Sequence, residues 1–156
     1  MIGPRKHLKG FTIIELMVVL AIISILATIA LAAYSNFMMR AKVSEGLTFA
    51  TEAKTAVTSF YAGNAHFPDG NTQAGLPEPG SYAKFKHISW LKVEEPASGD
   101  PATGIITVSI KIPGIGIKNE LQLVPIAQDG RLTWECRPAP GATGIATVRV
   151  PPNCRG

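Results

Sequence analysis

The sequence predicts an α+β fold: a long N-terminal α-helix, membrane-spanning in its first half and amphipathic in its second, packed on a four-stranded antiparallel sheet. Three observations carry this. From Phe11 to Met39 the only ionisable side chains are Glu15 and Tyr34, and the run Leu16 to Ala33 is long enough to cross a hydrocarbon core as a helix. Val43, Leu47, Ala50, Ala53, Val57 and Phe60 recur at helical spacing and draw one apolar stripe. Four β-rich runs separated by Gly, Pro or Asp come after it.

Residues 1–10 carry Arg5, Lys6 and Lys9 and no acid. One reading makes them the n-region of a secretory signal peptide, with Ala30-Leu31-Ala32 as the small-residue cleavage site. In the other, cleavage falls between Gly10 and Phe11 and the apolar helix stays; the three cations then hold that end in the cytoplasm. Glu15 favours the second, because it interrupts the place where a signal peptide is uninterrupted hydrocarbon. A carboxylate in lipid is expensive, which makes Glu15 a functional candidate by default.

The helix should run from Phe11 to about Gly63, with Lys42, Glu45, Glu52, Thr55 and Ser59 largely off the stripe and facing water. Gly46 reads as a weak point, costing about 1 kcal/mol relative to alanine. Gly63-Asn64 supplies a stop. Residues 65–86 are rich in Gly, Pro, Asn and Ser and read as a long surface connection.

The expected strands are Ile88 to Val93, Ile105 to Ile112, Glu120 to Ile126 and Arg131 to Cys136. In the second, Ile106, Val108, Ile110 and Ile112 alternate with Thr107, Ser109 and Lys111, so one face is apolar and the other polar. Asp129-Gly130 suits a tight hairpin turn. Consecutive hairpins give a meander, and the stripe on residues 43–60 is the helical cover its apolar face needs. Beyond Cys136, prolines break the chain into a peripheral loop with one further strand-like run, Ile145 to Val150. Arg137, Arg149 and Arg155 fall in this region with no acid among them, a possible contact for an anionic ligand.

The totals narrow the class. With 156 residues, one modest soluble domain remains once the apolar helix is set aside. The formal net charge is +4, but three of the 15 Lys and Arg lie in residues 1–10; without them 12 bases face 11 acids, a charge of +1 that says little about partners. Cys136 and Cys154 are too far apart for a CxxC redox or metal motif. Exported, they would bridge and close a loop worth about 3 kcal/mol; in a cytosolic protein they would be two thiols. His7, His66 and His87 are isolated, and Asp69-Gly70-Asn71 opens like a calcium loop but lacks the later ligands. Nothing marks an enzyme, a metal site or a bound cofactor.

The segment Gly10-Phe11-Thr12-Ile13-Ile14-Glu15-Leu16-Met17, behind a short basic leader, resembles the N-terminus of a type IV prepilin, and the layout of the whole chain is similar to type IVa pilins. The resemblance implies a leader at 1–10, an assembly helix at 11–63 with its transmembrane part at 11–34, and a globular part at 64–156. Gly10 then matches the residue read by the prepilin peptidase, Phe11 the new, N-methylated terminus, and Glu15 the acid that neutralises the amine of a neighbouring subunit. Tyr34 matches an aromatic near the end of the membrane segment, and Cys136 with Cys154 the disulfide bounding the C-terminal loop. Ser24 and Ala32 stand where relatives often have glycine and proline.

In function, the resemblance implies a filament subunit serving adhesion, twitching motility or DNA uptake. It would sit in the inner membrane as a single-pass precursor and afterwards in an extracellular homopolymer, with the peptidase and assembly machinery as partners. Two alternatives share the architecture: a minor or competence pilin that binds DNA through Arg137, Arg149 and Arg155, and a type II secretion pseudopilin, against which the two cysteines count.

Overall fold

The computed structural model describes residues 10–94, 103–113, 116, 119–128 and 131–155. The basic residues of the leader and the Asp129-Gly130 turn lie outside these. The chain divides into two compact units, Met1–Phe37 and Met38–Gly156.

Helix α1 spans Ile13–Asn64 without interruption, passing through Ser24 and Ala32. Its start is set by Thr12, whose Oγ1 accepts the Glu15 N–H at 3.3 Å and whose carbonyl accepts the Leu16 N–H at 3.3 Å. The stop is one residue later than expected. Asn64 remains helical, its side-chain amide donates to the Phe60 carbonyl, and Ala65 takes the left-handed conformation at φ 58° that glycine usually fills. In the apolar first stretch, the hydroxyls of Ser24 and Thr28 donate to the carbonyls of Leu20 and Ile25, so neither is left without a partner among apolar neighbours.

The second unit holds the core. Its sheet is an antiparallel meander in the order β1 (Ile88–Val93), β2 (Ile106–Ile110), β3 (Glu120–Gln128), β4 (Arg131–Pro138). Gln128 pairs with Arg131, the register of a two-residue hairpin connection. Pro125 lies within β3 but past Leu123, the last β3 residue paired with β2, so its missing N–H costs no bond there. One apolar cluster joins Val43, Ala50, Ala53 and Val57 of α1 to Ile88, Leu91, Val108, Ile110 and Leu121 of the sheet.

Four expectations change on contact with the structure. Gly46 is buried against β2, and a Cβ there would stand 2.9 Å from Ile110 Cγ1; the residue permits close approach and is not merely a weak helix former. The connection 65–86 is anchored, with Pro68, Asn71, Ala74 and Tyr82 buried and a 3₁₀ turn at Pro79–Lys84. Its Asn71 donates to the carbonyls of Pro77 and Leu91 and accepts the N–H of Val93, stapling the loop to β1. The polar side chains of β2 are nearly buried, not open to solvent: Thr107 is 5% exposed and Ser109 3%. Finally, Ile145 to Val150 is not a strand. Gly144 makes a single parallel bridge to Glu120 and Thr147–Arg149 forms a 3₁₀ turn, with Ile145 and Val150 buried at its flanks. Pro151 and Pro152 directly behind it lack the N–H groups a ladder would use.

Candidate functional site

The N-terminal end of α1 is built from local rules. Gly10, Phe11 and Thr12 precede the helix, Thr12 caps it, and Glu15 occupies the third helical position, where its charge complements the free N–H groups of the first turn. The spacing Thr-x-x-Glu is that of a capping box, a signal legible in the sequence that assigns Thr12 a part beside Glu15. The carboxylate itself is exposed.

Around it the apolar surface is wholly uncovered. Phe11 is 80% exposed, and Ile14, Met17, Ile25, Leu31, Tyr34 and Phe37 are exposed as well. This is the one stretch of the described residues that is long and apolar enough to cross a membrane, and none of it is buried. A surface of that extent marks a membrane or a protein interface. Gly10 and Phe11 thus lie exposed ahead of the cap, and the acid Glu15 lies within one helical turn of that cap.

At the other end of the chain, Cys136 and Cys154 form a disulfide with a Cα–Cα distance of 4.4 Å. It ties the last residue of the final 3₁₀ turn, Pro152–Cys154, to strand β4. The three arginines of the region come from three different segments. Arg137 is on β4, paired with Gln122 of β3; Arg149 ends the turn Thr147–Arg149; Arg155 follows Cys154 and donates from Nε to the Val150 carbonyl at 3.4 Å. Among the described residues no group of His, Cys, Asp or Glu could hold a metal ion.

A further polar contact escaped sequence reasoning. His87 Nδ1 and Glu45 Oε2 lie 2.5 Å apart, linking the helix to the approach to β1. The residues are far apart in the chain, and neither pattern announces the other.

Comparison with known proteins agrees with this construction. A model of the pilin family of bacterial filament proteins matches residues 39–155, and one of the prokaryotic N-terminal methylation motif matches residues 5–31. The type IV major pilin protein PilE1 of Neisseria gonorrhoeae is 35% identical over 94% of this chain and 87% of its own. The fimbrial protein EcpC of Eikenella corrodens is 36% identical over 94% of this chain and 90% of its own. A fimbrial protein of Moraxella nonliquefaciens reaches 50% identity, over 42% of this chain and 43% of its own. The pilin model matches most of the chain, and relatives more than 30% identical over nearly all of it are named pilin and fimbrial proteins: the chain belongs to the type IV pilin family.

Proposed function

We propose that this chain is the structural subunit of an extracellular type IV pilus, cut after Gly10, N-methylated on Phe11, and polymerised through α1. The observation that carries the reading is the bare apolar surface of residues 11–37 with one acid, Glu15, near its N-terminal end. Before assembly that surface is solvated by the inner membrane, with residues 1–10 on the cytoplasmic side. Afterwards copies of the same helix replace the lipid. The amine freed at Phe11 of one subunit then neutralises Glu15 of another, because a charge buried among apolar helices is tolerated only when paired. The domain boundaries are accordingly a leader at 1–10, an assembly helix at 11–63 with its membrane part at 11–34, and a globular part at 64–156.

The peptidase and the assembly machinery are the partners this processing requires. Adhesion, twitching motility and DNA uptake are the roles such a filament serves. The test is mass spectrometry of filaments sheared from the native host. A chain beginning at N-methyl-Phe11 supports the reading. A secreted chain beginning at Ala33, or an unprocessed one beginning at Met1, overturns it.

A further inference from the structure

We propose that the sheet face turned away from α1 carries a saccharide site, formed by Trp90, Glu94, Thr107 and Gln122, that takes one pyranose residue of a neutral glycan. The helix packs on the Val108 and Ile110 side of β2, so Thr107 and Ser109 lie on the opposite face. Strand register lays two rows across it: Trp90–Ser109–Glu120, and Lys92–Thr107–Gln122–Arg137. Between them is a cavity of about 310 Å³, lined by Trp90, Lys92, Glu94, Glu120 and Gln122 together with Pro140 of the C-terminal segment. Its size is at the lower end of small-ligand pockets.

The polar groups in it hold one another in place. Glu94 Oε1 accepts from Thr107 Oγ1 at 3.2 Å and from Gln122 Nε2 at 2.9 Å, and the same amide lies 3.3 Å from Thr107 Oγ1. Thr107 and Gln122 are 5% and 7% exposed, which makes this a nearly buried polar network in the middle of a sheet. The fold alone would be served as well by apolar side chains, since burying polar groups gains little even when they are paired. A planar carboxylate and a planar amide, fixed side by side, match the donor-and-acceptor pattern of neighbouring sugar hydroxyls. The half-buried indole of Trp90 supplies an apolar wall for the C–H face of the ring.

Charge selects against other ligands. Glu94 and Glu120 offset Lys92 in this cavity and Arg137 at the end of the row, so a phosphate or nucleic-acid backbone finds no excess of positive charge, which an uncharged sugar does not need. The larger cavity, of about 510 Å³, lacks such a network: Lys42, Lys86, His87 and Lys111 line it without a facing aromatic wall, Lys111 Nζ donates to the Ala83 and Phe85 carbonyls, and His87 contacts Glu45.

The test uses the full chain in a zwitterionic detergent without a sugar headgroup, titrated with methyl β-galactopyranoside, methyl β-glucopyranoside and inorganic phosphate. Saturation-transfer NMR and tryptophan emission report binding. The expected result is saturable binding of a glycoside with Kd on the order of 1 mM. It should weaken at least ~10-fold in Trp90→Ala, less in Trp90→Phe, and also in Glu94→Gln, which keeps the shape of the network. Circular dichroism confirms that each variant is folded; should Trp90→Ala not fold, Glu94→Gln decides. Three results overturn the site: no saturation of any glycoside up to ~50 mM, some fiftyfold the expected Kd; affinity unchanged in Glu94→Gln; or phosphate bound in place of the sugars. None of them touches the filament reading, which rests on α1.

Discussion

Gly46 and Ile110 share a space that a single methyl group would overfill: a Cβ on Gly46 would come within 2.9 Å of Ile110 Cγ1 and 3.1 Å of its Cδ1. Ile110 is fully buried within the core cluster, so any shift of its side chain displaces packed neighbours. Two effects therefore oppose each other at this position. Helix propensity favours alanine over glycine by about 1 kcal/mol, whereas overpacking costs about 1–3 kcal/mol. Packing wins. Gly46→Ala should lower the thermal midpoint slightly and Gly46→Val strongly, followed by circular dichroism of the full chain in detergent. Ile110→Val should relieve part of the loss when combined with Gly46→Ala, a coupling that a double-mutant cycle reads directly. A more stable Gly46→Ala would mean that propensity governs the site.

Asn71 is a second residue whose value is set by distant partners. It is buried, and its side chain makes three hydrogen bonds: to the carbonyls of Pro77 and Leu91 and from the N–H of Val93. Asn71→Ala leaves those backbone groups without partners and should destabilise the globular unit by about 3 kcal/mol. Asn71→Asp is the sharper probe. It keeps the acceptor for Val93 but can donate to neither carbonyl, so it should resemble alanine and not the native chain. Urea midpoints of the three proteins check this.

How much of this was legible in the sequence depends on the range of the contacts involved. The apolar run, the stripe on α1 and the alternation in β2 are local patterns, and each predicts its element, helix or strand. The Thr12 cap was equally legible from its spacing to Glu15. Gly46, Asn71 and the His87–Glu45 contact were not, because each answers to a residue brought up by the fold. The face of β2 shows why periodicity alone misleads. Thr107 and Ser109 alternate as solvent-facing residues should, yet the segment after β4 folds back over them, held by the Asn119 N–H on the Thr143 carbonyl and by the Ala139 and Ile145 N–H groups on the Glu120 carbonyl. Pairing of Cys154 with Cys136 fixes the same region.

Tyr82 links burial to pH. Desolvation of its ring, and then the negative charge of Glu52, raise its phenol above the ordinary 10.0. In the unfolded chain the phenol ionises near that ordinary value, while the folded protein still holds the proton. The unfolded state therefore binds fewer protons, and stability falls as pH rises. The contribution is fully present below pH 10.0 and is lost as the pH climbs toward the folded value. Denaturant midpoints between about pH 9 and pH 11 should fall less steeply in Tyr82→Phe than in the native chain. Equal slopes would remove Tyr82 from the alkaline transition.

Glu15 tests the assembly reading through charge, not shape. It has two local properties, a place in the capped first turn of α1 and a carboxylate exposed on an otherwise apolar surface. Glu15→Gln keeps size and helix position but removes the charge, so it leaves insertion into the membrane intact or easier. Within the filament it strands the amine of the neighbouring Phe11, and a penalty of only about 1.4 kcal/mol per subunit suffices for a ~10-fold loss. Filament yield, counted by electron microscopy of sheared pili, should fall at least that far in Glu15→Gln and in Glu15→Ala alike. Thr12→Ala is the matched control, because it loosens the cap by about 1 kcal/mol and leaves the carboxylate in place. Filaments should persist in it. Native yield from Glu15→Gln with loss in Thr12→Ala would reverse the assignment and make the first turn of the helix, not its charge, the element on which assembly depends.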